Sequence, residues 1–338
     1  MRSIGVDLHT NSFLVCYQPE RGRKKLEEFK LKDINRFKKS LRRSDKLALE
    51  STGNARWFTD QIRGKVEKVV VVNPGKFDVI RKSVKKTDSE DCKALAFFLS
   101  KGMLPEARMK NKEQAQLSSL IGTRDRLVKL RTSLMNKIHN IMNGHGIKMK
   151  KEVYGTEKGL RQVLEMGFDE MVQLELEVIV NQIRSLNEGI RKLDDEISSK
   201  GDDIYKGHKN LTSIKGIGKR SASILMSVIG DIDDFESESK LFSYFGIVPK
   251  VSCSNEKEHY GHITRRGSKI GRTTLVQCTL VAKRYSPYLH RFYEKVRRKR
   301  GTGKAIIATA KKFLGIIYNT LKNDWIFKDF PNFVFEKS

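Results

Sequence analysis

Eight apolar residues between Val172 and Ile197 constrain the fold of this chain more than any other feature. Val172, Leu176, Ile179, Ile183, Leu186, Ile190, Leu193 and Ile197 follow one another in unbroken steps of four and three. Such steps keep a single apolar line along a helix, the heptad pattern of a coiled-coil seam. Upstream, Leu117, Leu120, Leu127, Leu134, Ile138 and Ile141 keep the same register with Arg124 and Arg131 at seam positions, until Asn143-Gly144-His145-Gly146 ends the helix. Two helices packed on each other within one chain and a seam between chains satisfy this pattern equally well.

Residues 1–104 differ in kind, because short strand and helix signals alternate there. Ile4 to Asp7, Phe13 to Tyr17 and a charged run around Leu26 to Leu31 read as three meandering strands, with a turn at Asp7-Leu8-His9-Thr10-Asn11. A helix at roughly 33–43 leads to Lys46-Leu47-Ala48-Leu49-Glu50, and a second leads to Val69-Val70-Val71-Val72, stopped by Asn73-Pro74-Gly75. Four consecutive valines suit a strand buried on both faces. The order predicts a mixed sheet whose first and fourth strands are parallel neighbours. Asp7 and Glu50 would then emerge together at the C-terminal edge, where open α/β sheets hold ligands.

A further acidic pair, Asp88 and Asp91 in Lys86-Thr87-Asp88-Ser89-Glu90-Asp91, is spaced to share one helix face. Thr87 and Glu90 have the form of a capping box, so each carboxylate taken singly has a structural explanation. Taken together, Asp7, Glu50, Asp88 and Asp91 form the oxygen-donor set expected of magnesium (Mg2+) or manganese (Mn2+). Paired ions of this kind can stabilise both the attacking and the leaving oxygen of a phosphodiester.

The charge balance agrees, since 67 Lys+Arg against 40 Asp+Glu leave a net charge of +27, the mark of a polyanion partner. The four cysteines lie too far apart in sequence for disulfide or zinc spacing, and no apolar run approaches a membrane span. Met1-Arg2-Ser3-Ile4 leads into a strand and not into a cleavable signal, so a cytoplasmic, nucleoid-associated protein is expected. Gly301-Thr302-Gly303-Lys304 lacks the spacing of a P-loop.

From about 209 the chain changes again. Leu211-Thr212-Ser213-Ile214-Lys215-Gly216-Ile217-Gly218-Lys219 reads as a turn between two helices, like a helix-hairpin-helix, with Lys215, Gly216, Gly218 and Lys219 set to meet phosphate. Gly246-Ile247-Val248-Pro249, a polar loop from Ser252 to His262, and basic Arg265, Arg266 and Lys269 follow. Two helices then flank Arg297, Arg298, Lys299 and Arg300, further candidates for phosphate contact. The boundaries are 1–104, 105–208 and 209–338, a multidomain α/β plus α chain with a coiled-coil helical middle.

The series Gly5-Val6-Asp7, Leu49-Glu50-Ser51-Thr52-Gly53, Val72-Asn73-Pro74 and Lys86 to Ala94 resembles the RuvC-like DEDD transposases of the IS-one-ten group, relatives of the Piv DNA invertase. The similarity continues through Ile214 to Gly218, Phe245 to Pro249 and Gly261 to Gly267, and so covers nearly the whole chain in order. The resemblance implies an RNase H/RuvC-like N-terminal domain, a coiled-coil middle and a mostly helical C-terminal transposase domain. It further implies action on double-stranded DNA as a homo-oligomer, dimer or tetramer, guided by a structured RNA encoded by the element. By motif, Asp7, Glu50, Asp88 and Asp91 would hold the metal. Ser254, five residues after Pro249, would be the nucleophile joined to DNA, although Asn255 stands where the family commonly has glycine, and Ser252 is a rival by one alignment slip. Transposition, site-specific inversion by the same chemistry, junction-resolving cleavage, and noncatalytic nucleic-acid binding on an old nuclease scaffold are the functions this chain allows.

Overall fold

The computed structural model describes residues 1–72, 77, 87–107, 109–254 and 257–337, and of residues 252–254 and 257–260 the backbone alone. Asn73-Pro74-Gly75 and Asn255 therefore lie outside the described residues. The chain forms two compact units, Met1–Met109 and Lys110–Ser338. Among the described residues, no helix is long and apolar enough to cross a membrane.

The first unit is built on a mixed sheet of five strands, β1 (Arg2–Leu8), β2 (Ser12–Pro19), β3 (Lys25–Lys30), β4 (Lys46–Glu50) and β5 (Lys68–Val72), in the order β3-β2-β1-β4-β5. The first three form an antiparallel meander, while β4 runs parallel to both β1 and β5. Helix α1 (Ile34–Ser40) precedes β4 and α2 (Ala55–Ile62) precedes β5. Alternation along β1 sends Ile4, Val6 and Leu8 into a core with Phe13, Phe37 and Phe58. The valine run of β5 serves both faces, because Val71 joins that core while Val70 and Val72 pack with Leu95 and Leu99 on the other side.

Register between β1 and β4 is pinned at its start. Arg2 donates from Nε and Nη2 to the two carboxylate oxygens of Asp45, at 2.9 and 2.6 Å, and Asp45 is wholly buried. A two-pronged arginine–carboxylate pair fixes geometry as well as charge. It holds Ser3 opposite Lys46, and the ladder runs from there to Val6 opposite Leu49.

Helix α3 (Asp88–Ser100) lies across the second face of the sheet at unusually short range. A Cβ at Gly5 would stand 2.1 Å from the Cys92 carbonyl oxygen and 2.7 Å from the Ala96 nitrogen. The buried Cys92 thiol donates to the carbonyl oxygens of Gly5 and Leu14, at 2.9 and 3.1 Å. Only glycine permits this approach.

The second unit begins with a helical hairpin. Helix α4 (Lys112–Gly144) and, after the short α5 (Glu157–Leu164), α6 (Glu170–Ile204) run antiparallel. Their direction is fixed by cross-links from Arg124 to Asp194, Arg131 to Asn187 and Lys137 to Glu175. The heptad residues Leu176, Ile179, Ile183, Ile190 and Ile197 are buried within the chain itself. The two arginines at seam positions are thereby explained as paired groups: Arg124 grips both oxygens of Asp194 at 2.8 and 3.1 Å.

At the base of the hairpin, Leu117, Ile121 and Ile197 share one core with Leu211, Leu225, Phe245, Leu275 and Phe313. These come from α7 (His208–Thr212), α8 (Lys219–Ile229), α9 (Glu238–Phe245), α10 (Lys269–Tyr285) and α11 (Pro287–Lys322), the last broken at Gly301. Residues 249–263, read as loop in their polar stretch, instead form an antiparallel hairpin of β6 (Pro249–Ser254) and β7 (Lys257–Ile263). Val251 in it is half exposed. A second small hairpin, β8 (Trp325–Asp329) and β9 (Val334–Lys337), ends the unit.

Gly5→Ala should lower stability by about 1–3 kcal/mol through overpacking, read in a thermal melt. An unchanged melt would mean that α3 can move away freely. The double variant Ile183→Asp, Ile190→Asp places two charges inside the hairpin and should cost at least about 3 kcal/mol per site, unfolding the chain at any protein concentration. Loss of association without loss of helix, by sedimentation and circular dichroism, would instead make this line an interface between chains.

Candidate active site at the edge of the sheet

Two parallel strands and one helix start bring the acidic residues together. Val6 faces Leu49 across β1 and β4, so Asp7 and Glu50 are the next residue on each strand. Gly5 and Ala48, two residues earlier, lie against α3 at Cys92, Leu95 and Ala96. By the two-residue period of a strand, Asp7 and Glu50 fall on that same side. There α3 begins: the Thr87 hydroxyl oxygen accepts from the Glu90 N–H at 3.3 Å, placing Asp88 and Asp91 in the first turn. Capping and site formation are one arrangement, because the cap aims the turn that carries the carboxylates. Glu90 itself pairs with Lys93 at 2.9 Å.

The tightest group is Asp7, His9 and Asp88, whose donor atoms lie within 4.8 Å of one another. His9 Nε2 stands 3.3 Å from an Asp7 oxygen and 3.1 Å from an Asp88 oxygen. A turn residue by sequence, His9 is held by its own N–H, which donates to Ser12 O at 2.9 Å, and by Asn54 Nδ2, which donates to His9 O at 2.8 Å. Thr52 in turn donates to Asn54 Oδ1 at 3.0 Å. Asn54 was not marked by any spacing, yet it ties the loop after Glu50 to the turn after Asp7. Burial raises the Asp7 pKa, Asp88 and Asp91 raise it further by repulsion, and His9 opposes them. The result is a half-buried carboxylate whose ionised form is disfavoured first by burial, with the attraction of His9 set against the repulsion of Asp88 and Asp91.

That donor set fits a hard divalent cation. Carboxylate oxygens from two elements converge, an imidazole nitrogen stands between them, and positive charge would favour the ionised form of Asp7 that burial disfavours. Glu50 adjoins through the strand register and Asp91 through its influence on Asp7; neither belongs to the 4.8 Å group.

Ser254 lies elsewhere in the sequence, at the end of β6 opposite Lys257, with Ser252 opposite His259. Its side chain lies outside the described residues, and it belongs to the second unit. Of the basic candidates, Lys215, Gly218, Lys219, Arg265, Arg266, Lys269, Arg297, Arg298 and Arg300 are exposed. Gly216 is different. Its φ is +106°, and a Cβ there would meet the Ala282 nitrogen at 2.7 Å, so this glycine lets two helices close. Gly246 and Gly267 are similar: added Cβ atoms would lie 2.0 Å from Arg266 O and 2.0 Å from Tyr244 O. The two motifs therefore fold against each other. Arg272, which the sequence did not single out, donates to Phe245 O, Arg266 O and Gly267 O at 3.2 Å each and fixes the basic turn.

Residues 4–147 match a family model for the DEDD type of the IS110 group, described as "Transposase". Residues 208–294 match a second, described as "Transposase IS116/IS110/IS902 family". The chain is 25% identical over 289 residues to the "Transposase for insertion sequence element IS1111A" of Coxiella burnetii, covering 81% of this chain and 77% of that protein. It is 26% identical over 281 residues to the "Transposase for insertion sequence element IS1328" of Yersinia enterocolitica, covering 82% and 83%. To the "Pilin gene-inverting protein" of Moraxella lacunata it is 27% identical over 270 residues, covering 76% and 73%. With both family models matched in order over more than half of its length, and with these relatives aligned across most of it, the chain belongs to the IS110 family of transposases.

Proposed function

We propose that the chain cuts and exchanges DNA strands with Asp7, Glu50, Asp88 and Asp91 as a divalent-metal site on a RuvC-like scaffold. The observation that carries this reading is the convergence of Asp7 with the first turn of α3 at the C-terminal edge of the sheet, beside Glu50. Bound Mg2+ or Mn2+ would supply Lewis acidity at the phosphodiester. Asp7 and Glu50 hold fixed charge on rigid strands, Asp88 is exposed toward substrate, and His9 spaces the two aspartates. The exposed lysines and arginines of the second unit bind the phosphate backbone of double-stranded DNA.

Further steps follow from the resemblance. Ser254 is the nucleophile that becomes joined to DNA, the protein acts as a homo-oligomer, and a structured RNA of the element guides it. The same chemistry would serve inversion, a second reading favoured by the likeness to pilin gene-inverting proteins. Inversion of a fixed segment between flanking repeats, as against insertion at a new site, separates the two in a plasmid assay.

Asp7→Asn should reduce strand cleavage by at least about a hundredfold, the scale of a lost metal contact. The same change should leave the melting temperature equal or higher. An aspartate whose folded pKa lies above its unfolded value lowers stability when ionised, fully so above the folded pKa, and asparagine carries no such charge. Millimolar Mg2+ or Mn2+ should raise the melting temperature of the wild type and not of Asp7→Asn. Cleavage by Asp7→Asn at the wild-type rate would remove the metal assignment.

Denaturing gels of end-labelled target DNA test the serine. Wild type should leave DNA attached to protein, whereas Ser254→Ala and Asp7→Asn should not. An undiminished adduct from Ser254→Ala would move the nucleophile to Ser252 or beyond, and free ends without adduct from wild type would mean hydrolysis.

A further inference from the structure

We propose that the second unit carries a pocket for one unpaired nucleotide, a site separate from the strand-cutting reading and independent of it. A cavity of about 430 Å³ opens among α9, α11 and β8, within the range of small-molecule sites. Its wall is aromatic, with Tyr288, Phe292, Trp325 and Phe333 on it. Tyr288 is 43% exposed although it lies in a pocket, so part of its ring still meets solvent beside Phe333, which packs perpendicular to it at 5.6 Å.

Two lysines line the same cavity. Lys312 Nζ sits 4.7 Å from the ring centroids of both Tyr288 and Phe292, and Lys311 Nζ sits 5.3 Å from that of Phe242. Neither forms an ion pair with a carboxylate among the described residues. Cations held on ring faces and left without counterions mark a place for an anionic group. Glu238 also lines the cavity. Asn319 Nδ2 donates to its Oε1, and a Cβ added to Gly315 would lie 3.0 Å from its Oε2, so the carboxylate is pinned against α11.

An aromatic wall, paired ammonium groups and one fixed carboxylate make a set that few ligands satisfy together. Inorganic anions would not use the rings, and an apolar peptide would leave three charges unmet. A nucleotide meets all of them: its phosphate takes the lysines, its base stacks on the rings, and a base edge bearing N–H donors takes Glu238. Guanine offers a ring N–H beside an amino group and suits a carboxylate best. Uracil, with carbonyls on both sides of one N–H, suits it least. A base inside a duplex is stacked on both faces and cannot enter, so the ligand is an unpaired base of RNA or DNA.

The test uses the full chain with Trp57→Phe, which leaves Trp325 as the single tryptophan of the two present. It is titrated in metal-free buffer with guanosine, uridine and deoxyguanosine 5′-monophosphates and with inorganic phosphate, and read by fluorescence. Guanosine monophosphate should give a saturable change, uridine monophosphate a weaker one, and phosphate none. Tyr288→Ala should weaken binding about tenfold, the scale of one lost base–aromatic stack. Glu238→Gln should keep binding and lose the guanine preference. Tighter binding of the ribonucleotide assigns the pocket to RNA; equal binding assigns it to an unpaired base of either strand. The proposal is overturned if no nucleotide saturates the signal, if phosphate alone reproduces it, or if Tyr288→Ala binds as tightly as wild type. Because no metal and no cleavage enter the measurement, its failure leaves the carboxylate site untouched, and failure of that site leaves the pocket standing.

Discussion

The missing side chain of Gly5 is the constraint on which the first unit depends. With no Cβ in the way, the backbone of α3 comes down onto β1 until the Cys92 thiol reaches two strand carbonyls. Every position in the first turn of α3 is then set relative to the strand end, including Asp88 and Asp91. Asp7 gains its raised pKa from the same closeness, since burial and the two helix carboxylates both act on it. The Arg2–Asp45 pair does the complementary task within the sheet, fixing the β1–β4 register that places Glu50 beside Asp7. A contact between backbones and one buried ion pair thus position an acidic group that is unfavourable on its own terms. Such local cost is the kind that marks candidate functional sites.

In the second unit the problem is different, because a hairpin of helices 33 and 35 residues long needs something other than apolar contact to set its register. Leucine and isoleucine layers slide past one another at modest cost. Asp194 answers this by accepting from Arg124 and also from Arg220 at 2.9 Å, which links the two long helices to the start of α8. The part-buried Arg124 bond, joined by the exposed one from Arg220, specifies one alignment among several that the heptads allow.

Where a signal was local and periodic, the sequence carried it. The valine run, the strand that ends at Glu50, the Thr87 cap and the heptads are local signals that stand in the structure as expected, while β1 runs one residue past Asp7 to Leu8. Heptads report that an apolar line exists and are silent on whose surface covers it, so burial of Ile183 and Ile190 within one chain was not readable. The hairpin of Pro249–Ser254 and Lys257–Ile263 was missed because its sequence is mostly polar and shows no alternation of apolar and polar residues. Gly216 was read as a phosphate contact from its motif; the approach of Ala282, which leaves no room for a Cβ, was not readable there. His9 follows Asp7 by two residues, in the turn that the sequence marks, whereas Asn54 joins it from a loop distant in sequence that no spacing rule connects.

The sulfur of Cys92 has one more property. Burial raises its pKa, so it stays a protonated thiol with both the nucleophile and the path to it withheld. Any reagent or oxidant that modifies this atom must arrive while α3 is lifted from the strand, and the added atoms would then occupy the space the helix needs to return. Modification of Cys92 therefore reports an open form of the first unit, in which the thiol has left the carbonyl oxygens of Gly5 and Leu14.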